Sequence, residues 1–478
     1  MNDKKKLNGA AKASYGLGAV GKDMVYMLSA SYILYYFQDI LGVSAAAMGV
    51  ILMAARVFDA FNDPIMGAVV AKTKTRFGKF RPWLLIGTIT NAIVLYLMFS
   101  APPELSGSGL VVYAAVTYIL WGVTYTMMDI PYWSMIPAFT EGGKEREGLT
   151  TLARSCAGVG SALITIVTVM AVSALGHMFG GQGISDREVE RIGFSYFTIV
   201  VAVLFVLFTV ICCLNVKEKS TVDMDSPSIK EMFRALIQND QAMAVVVAIV
   251  IVNCSIYITS NLVIYFFKYD FGGTGWRGAY TLFSTFGGGI QILAMMILYP
   301  FLRKFFTSIK IYYISMGMAI VGYISLLALA STSMTNVYLL FLPGFFIFAA
   351  NGMLAVITTV FLANTVDYGE LKNNRRDESV IFSMQTFVVK LASGISAFIA
   401  ALSLQVLALS NDTAEAAAAI DYSVGVSAVQ KMGLRMTMTI VPIIGLVFAI
   451  FWFKNKYILT DEKISEISGQ IAERNKVA

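Results

Sequence analysis

Apolar stretches of about twenty residues recur along the whole chain. That recurrence constrains the fold more than any other feature. A helix that crosses the hydrocarbon core of a bilayer needs ~20 mostly apolar residues. Lipid offers no hydrogen bonds to the backbone, so each crossing segment must satisfy its own, and a continuous apolar run does so as a helix. A membrane barrel would show alternating residues instead. Twelve stretches read as spans: 15–39, 45–71, 82–101, 110–138, 149–174, 194–214, 242–267, 278–300, 310–331, 336–363, 380–408 and 434–453. Charged residues make up 14% of the 478, against roughly 25% in an ordinary soluble protein. A soluble multidomain enzyme is thereby excluded. The expected fold is an all-α membrane protein of twelve transmembrane helices in two six-helix halves.

Scarce residues narrow the chemistry. The one histidine, His177, falls in an expected external loop, which argues against His-based triads and His-rich metal sites. The four cysteines, Cys156, Cys212, Cys213 and Cys254, lie in or beside apolar stretches without zinc-ligand spacing, and read as packing residues. The basic start, MNDKKKLNGAAKASYGLG, lacks an apolar core with a cleavage site and reads as a retained cytoplasmic N-terminus.

The longest hydrophilic break in mid-chain, 215–240, divides the chain into residues 1–214, a central loop 215–240, residues 241–456 and a tail 457–478. Lysine and arginine set the orientation. With both termini inside, 26 of the 36 basic residues fall in cytoplasmic segments, six in external ones and four inside spans. The net charge of +6 is therefore a topology signal and not a sign of nucleic-acid binding. Isoleucines at 458, 464, 467 and 471 lie among charges, so the tail is expected to form a short amphipathic helix. Six plus six spans, a central cytoplasmic loop and cytoplasmic termini match the layout of major facilitator carriers, whose halves rock about a central cavity. The halves show no convincing sequence repeat. After span 2, Asp63-Pro64-Ile65-Met66-Gly67 leads into Lys72, Lys74, Arg76, Gly78, Lys79 and Arg81. This turn could latch the halves through charge pairs, or express the positive-inside bias alone.

Eight ionisable residues lie inside spans: Lys22, Asp23, Arg56, Asp59, Asp63, Asp129, Arg154 and Lys390. Each costs about 2.5–3.5 kcal/mol to insert, so such residues normally face the bundle interior, have partners and serve function. Asp59 and Asp63 are four apart and share one helix face, with Asn62 beside them. Two carboxylates and an amide oxygen suit Na⁺, Li⁺ or a proton. Arg56 lies on roughly the same stripe, where a structural ion pair is as good a reading as a cation-site role. Tyr125, Asp129 and Trp133 repeat every four residues beside Thr126, and Pro131 can free backbone carbonyls there. A carboxylate with a flat aromatic suits a sugar, though Trp133 alone could anchor at a lipid interface. Lys390 is the only base inside a C-terminal-half span, and is expected to face the N-terminal acids. The alternative is a lysine that snorkels to the cytoplasmic face.

At these residues the sequence resembles the glycoside–pentoside–hexuronide:cation symporters, above all their melibiose-transporting branch. The matching segments are YGLGAVGKD (15–23), ARVFDAFNDPIMG (55–67), RFGKFRPWLLIGT (76–88), YILWGVTYTMMDIPYWSMIP (118–137), KEREGL (144–149), NTVDYGELK (364–372) and QTFVVK (385–390). The resemblance implies a cation site at Asp59, Asn62, Asp63 and Thr126, with Na⁺ at Asp59 and Asp63. It implies sugar contacts at Lys22, Asp23, Tyr125, Asp129, Trp133, Arg154, Gln385 and Thr386, and coupling through Lys390 and Arg56. Arg146, Asp367 and Arg376 correspond to an inner gate. Two positions depart from the pattern: Ala355 replaces a tryptophan, and Asn364 the first aspartate of the motif before Tyr368-Gly369-Glu370. The first could widen the cavity; the second alters the inner-gate charge.

The resulting expectation is a secondary active transporter, working by alternating access, that couples Na⁺ (or Li⁺ or H⁺) entry to uptake of a melibiose-like glycoside. It needs no cofactor beyond the coupling cation, and its partners are the sugar, the cation and the lipid bilayer, with no nucleic acid. It is expected in the cell (inner) membrane as a functional monomer. A carrier of pentosides, glucuronides or lysolipids is the alternative. A channel would need rings of like charge or carbonyl filters, and an intramembrane enzyme a nucleophile–base pair; neither is visible.

Overall fold

The computed structural model describes residues 8–136, 143–181, 183–216, 229–332, 336–373, 378–409 and 421–477. Every regular element among them is helical. In chain order the helices are α1 (Gly9–Tyr35), α2 (Ala45–Lys72), α3 (Arg81–Met98), α4 (Gly107–Ser134), α5 (Gly143–Gly180), α6 (Asp186–Asn215) and α7 (Ile229–Gln238). There follow α8 (Asp240–Tyr265), α9 (Trp276–Arg303), α10 (Ser308–Ala330), α11 (Phe341–Asn373), α12 (Glu378–Val406), α13 (Ala428–Lys456) and α14 (Asp461–Val477).

Eleven helices among the described residues are long and apolar enough to cross a membrane: α2 to α6 and α8 to α13. The twelfth expected span coincides with α1, whose 27 residues reach ~40 Å but carry Lys22 and Asp23 at mid-length. Ile65, Ile93, Val112, Val203, Ile297, Ile444 and Phe451 are all exposed. A water-soluble monomer rarely shows so much apolar surface; lipid solvates it. The protein is a multi-pass integral membrane protein.

The chain forms two compact units that divide between Ser226 and Pro227. In the first unit α1 packs on α5 and α6, α2 on α4, and α3 on α4 and α6. In the second, α8 packs on α12 and α13, α9 on α11, and α10 on α11 and α13. These five pairings recur position for position, a repeat of architecture that the residues themselves do not display.

Helices in lipid gain little from burying apolar surface against one another, so close backbone approach supplies much of the packing. At Gly160 of α5 a Cβ would stand 2.3 Å from the Val20 carbonyl oxygen of α1. Gly160→Val is therefore expected to force α1 and α5 apart and to cost about 1–3 kcal/mol. Thermal unfolding of the detergent-solubilised protein checks this, with Gly158→Val as control, since a Cβ at Gly158 meets nothing within 4 Å.

Helix α11 and the tail both add helix beyond the expected spans. Helix α11 runs on to Asn373, so NTVDYGELK is helical. There the Asn239 amide donates to the Thr365 carbonyl, while Tyr368 and Lys372 both donate to Asp240 at the start of α8. These motif residues join α11 to α8. The tail forms α14, which packs on α11 with Ile467 buried. Asp461 pairs with Arg303 at 2.8 Å and accepts from the Ser308 backbone N–H, clipping the turn between α9 and α10. Within the expected central loop, residues 229–238 are helical.

Candidate functional site

The in-span charges of the first unit gather where α1, α2, α4 and α5 present polar faces. Lys22 of α1 is nearly inaccessible to solvent, yet its Nζ lies 2.8 Å from Asp129 Oδ1 and 3.2 Å from Asp23 Oδ2. It also donates to the Tyr125 hydroxyl at 3.1 Å. A buried ammonium needs such compensation, and two carboxylates supply it. The Trp133 indole N–H donates to Asp129 Oδ1 at 3.1 Å. The Arg154 guanidinium sits 4.1 Å from the Trp133 ring centroid, within cation–π range. Trp133 is thus engaged by site residues on α4 and α5. Its period-four neighbours Tyr125 and Asp129 join it in one patch whose two bases balance its two acids. Such a patch can both donate to and accept from a polyhydroxyl ligand.

One face of α2 makes a second set. Asp63 Oδ1 accepts from the Thr126 hydroxyl at 2.9 Å, and Asp59 Oδ2 lies 3.3 Å from Arg56 Nη1. The two carboxylates, four apart on α2, meet two positions four apart on α4. Thr126 is one; Gly122 is the other, where a Cβ would stand 2.6 Å from Asp59 Oδ1. Only glycine lets the α4 backbone come so near that carboxylate. The buried amide nitrogen of Asn62 has no hydrogen-bond partner among the described residues. A half-turn about χ2 would present the amide oxygen in place of this nitrogen. Oxygens from Asp59, Asp63, Thr126 and Asn62 form a donor set that a small hard cation prefers.

A family model described as MFS/sugar transport protein matches residues 14–461. The chain belongs to this family. With the motif pattern this places it among the glycoside–pentoside–hexuronide:cation symporters of the major facilitator superfamily. It is a transporter and not an enzyme. The uncharacterized symporter YjmB of Bacillus subtilis is 27% identical over 480 residues, covering 99% of this chain and 98% of that protein. The lactose permease of Lactobacillus delbrueckii subsp. bulgaricus is also 27% identical, over 98% of this chain and 73% of its own length. Among solved structures, the D-xylose-proton symporter superposes with a TM-score of 0.62 at 14% identity, over 94% of this chain and 98% of that one. That likeness establishes a shared fold.

In the second unit, Gln385 of α12 donates to the Thr359 hydroxyl of α11 at 3.4 Å. Lys390 of α12 and Asp367 of α11 are partly buried and have polar or ionic interactions. Ala355 is exposed on α11. Arg376 lies outside the described residues, as do the side chains of Arg146 and Thr386.

Sequence reasoning missed Tyr26 of α1 and Trp121 of α4. Tyr26 lies against Arg56, Trp121 and Tyr125. The available signal was spacing: Tyr26 follows Lys22 by four residues and Trp121 precedes Tyr125 by four, so each shares a face with a site residue.

Proposed function

We propose that the protein is a cation-coupled symporter of a glycoside, working by alternating access in the cell membrane with both termini cytoplasmic. One observation carries the reading: consecutive residues of α4, Tyr125 and Thr126, serve the two sets. Tyr125 accepts from Lys22 among the proposed sugar contacts, and Thr126 donates to Asp63 among the proposed cation ligands. One rigid element thus bears on both substrates, as coupling requires. Relatives named as symporters and as lactose permeases support a glycoside, and the Asp59, Asn62, Asp63 and Thr126 set supports Na⁺ or Li⁺, with H⁺ as the alternative. Within this proposal Gln385 and Thr386 add sugar contacts, and Arg146, Asp367 and Arg376 act at the inner gate.

The test is uptake of labelled melibiose, lactose, raffinose and a methyl pentoside into proteoliposomes under Na⁺, Li⁺ or H⁺ gradients. Accumulation of at least one sugar under one imposed gradient, abolished by collapsing it, is the expected result. Absence of gradient-driven accumulation across the panel would remove the glycoside assignment.

Lys390 has the coupling role in this reading. A lysine at mid-span is costly to keep, so its retention is tied to function. Lys390→Val is expected to reach the membrane and to lose active accumulation, with the internal-to-external sugar ratio falling to about one. Wild-type accumulation by this variant would remove the role.

A further inference from the structure

Two buried cations flank one aromatic cluster in the first unit. Along α4, Tyr118 stacks on Trp121 with centroids 5.8 Å apart and planes 11° from parallel. Trp121 stacks in turn on Tyr125 at 5.2 Å and 24°. From α1, Tyr26 leans on both, 6.3 Å from Trp121 and 5.5 Å from Tyr125. Lys22 belongs to the proposed sugar contacts and is bonded to the Tyr125 hydroxyl. Arg56 belongs to the proposed cation set; its guanidinium carbon is 6.0 Å from the Tyr26 centroid while Nη1 pairs with Asp59. The Trp121 indole N–H is buried without a hydrogen-bond acceptor among the described residues. Stacking therefore holds that ring, and among the described residues Tyr26 is the ring that reaches it from outside α4.

We infer that Tyr26 is a positioning residue that couples the cation set to the sugar set through this aromatic cluster. The inference rests on the function proposed above. A cation that neutralises Asp59 weakens the Arg56–Asp59 pair. A guanidinium loosened in a buried setting requires other compensation, and the π face of Tyr26 is already within reach. Arg56 drawn onto that face presses Tyr26 against Trp121 and Tyr125. Tyr125 holds Lys22, and Lys22 holds Asp23 and Asp129 at their present separation. Cation occupancy thereby reaches the sugar carboxylates through packed rings, with no ligand shared between the two sets. The ring face does this work; the Tyr26 hydroxyl has no part in it.

The experiment measures the coupling factor in the purified full-length protein. Calorimetry gives the Kd of melibiose or lactose, whichever is transported, with and without saturating Na⁺ or Li⁺, and the Kd of that cation with and without sugar. In the wild type the two ratios must agree, because linkage is reciprocal. Tyr26→Phe keeps the ring and is expected to hold the factor within twofold of wild type. Tyr26→Leu removes the π face and is expected to lower the factor at least fivefold, with cation-free sugar affinity within twofold of wild type. If the leucine variant is not recovered folded, Tyr26→Met keeps comparable bulk without a ring and is held to the same outcome. A wild-type factor in the leucine or methionine variant overturns the inference. So does an equal loss in the phenylalanine variant, because the hydroxyl would then be the agent. A wild type with no cation effect on sugar binding at all is a different failure: it removes the symport reading itself, and the inference with it.

Discussion

Asp23→Ala is expected to cut sugar affinity by about 10- to 150-fold while leaving cation binding measurable. Losing a hydrogen bond from a charged acceptor costs about 1.5–3 kcal/mol, and each 1.4 kcal/mol is about tenfold in Kd. The structure explains why the protein should survive the change. Lys22 keeps its closer partner, Asp129 at 2.8 Å, and its contact with Tyr125, so no buried ammonium is stranded. Asp129→Ala should be harsher, since it strips Lys22 of that partner and the Trp133 indole of its acceptor. It is expected to lower thermal stability as well as sugar binding. Calorimetric titration of both variants with the transported sugar, then with Na⁺ or Li⁺, checks the pair. An Asp23→Ala protein that binds sugar within twofold of wild type would sink the assignment of Asp23 as a sugar contact.

Asp59→Cys is expected to abolish cation stimulation of sugar binding while some sugar affinity persists. Asp59 is buried, meets α4 at Gly122, and has Arg56 3.3 Å away. Removing its carboxylate takes away both a proposed cation ligand and the acid that Arg56 neutralises. The carboxylates proposed to contact sugar lie on α1 and α4, so the loss is expected to fall on coupling and not on recognition. Reciprocity adds a second reading of the same variant: sugar should no longer tighten whatever cation binding remains. Asp63→Cys removes the acceptor of the Thr126 hydroxyl and should behave likewise. Undiminished stimulation in both single variants would take these two residues out of the cation site.

The membrane class and the span positions were legible because lipid imposes a local rule. Each crossing helix must be apolar over its own length, so length and hydropathy locate it without knowledge of its neighbours. The boundary of α2 was read within a residue on this basis. Helix α1 fits by position and length, but its Lys22–Asp23 pair puts it below the apolarity of the others. The motif 364–372 was legible as a pattern and not as a structural element. Its Tyr368 and Lys372 contacts to Asp240 join positions more than a hundred residues apart, and no local periodicity reports such a partner. The tail helix was visible as an amphipathic pattern, but Ile458 proved exposed while the adjacent Leu459 is buried.

By itself the sequence determined which residues carry charge inside the spans and which of them share a helix face, because helical spacing is a local property. It therefore brought together Asp59 with Asp63, and Tyr125 with Asp129 and Trp133. Only the tertiary structure decided which faces meet. It placed Lys22 between Asp23 and Asp129, set Thr126 against Asp63, laid Arg154 over Trp133, and packed Tyr26 into the rings of α4. It also revealed five helix pairings that recur at matching positions in both units. The physical reason is that ion pairs and ring stacking act over a few ångströms between helices. The residues so joined are separated along the chain by anything from 21 positions, Trp133 and Arg154, to more than a hundred, Lys22 and Asp129, and pairing across that range is a property of the packed bundle.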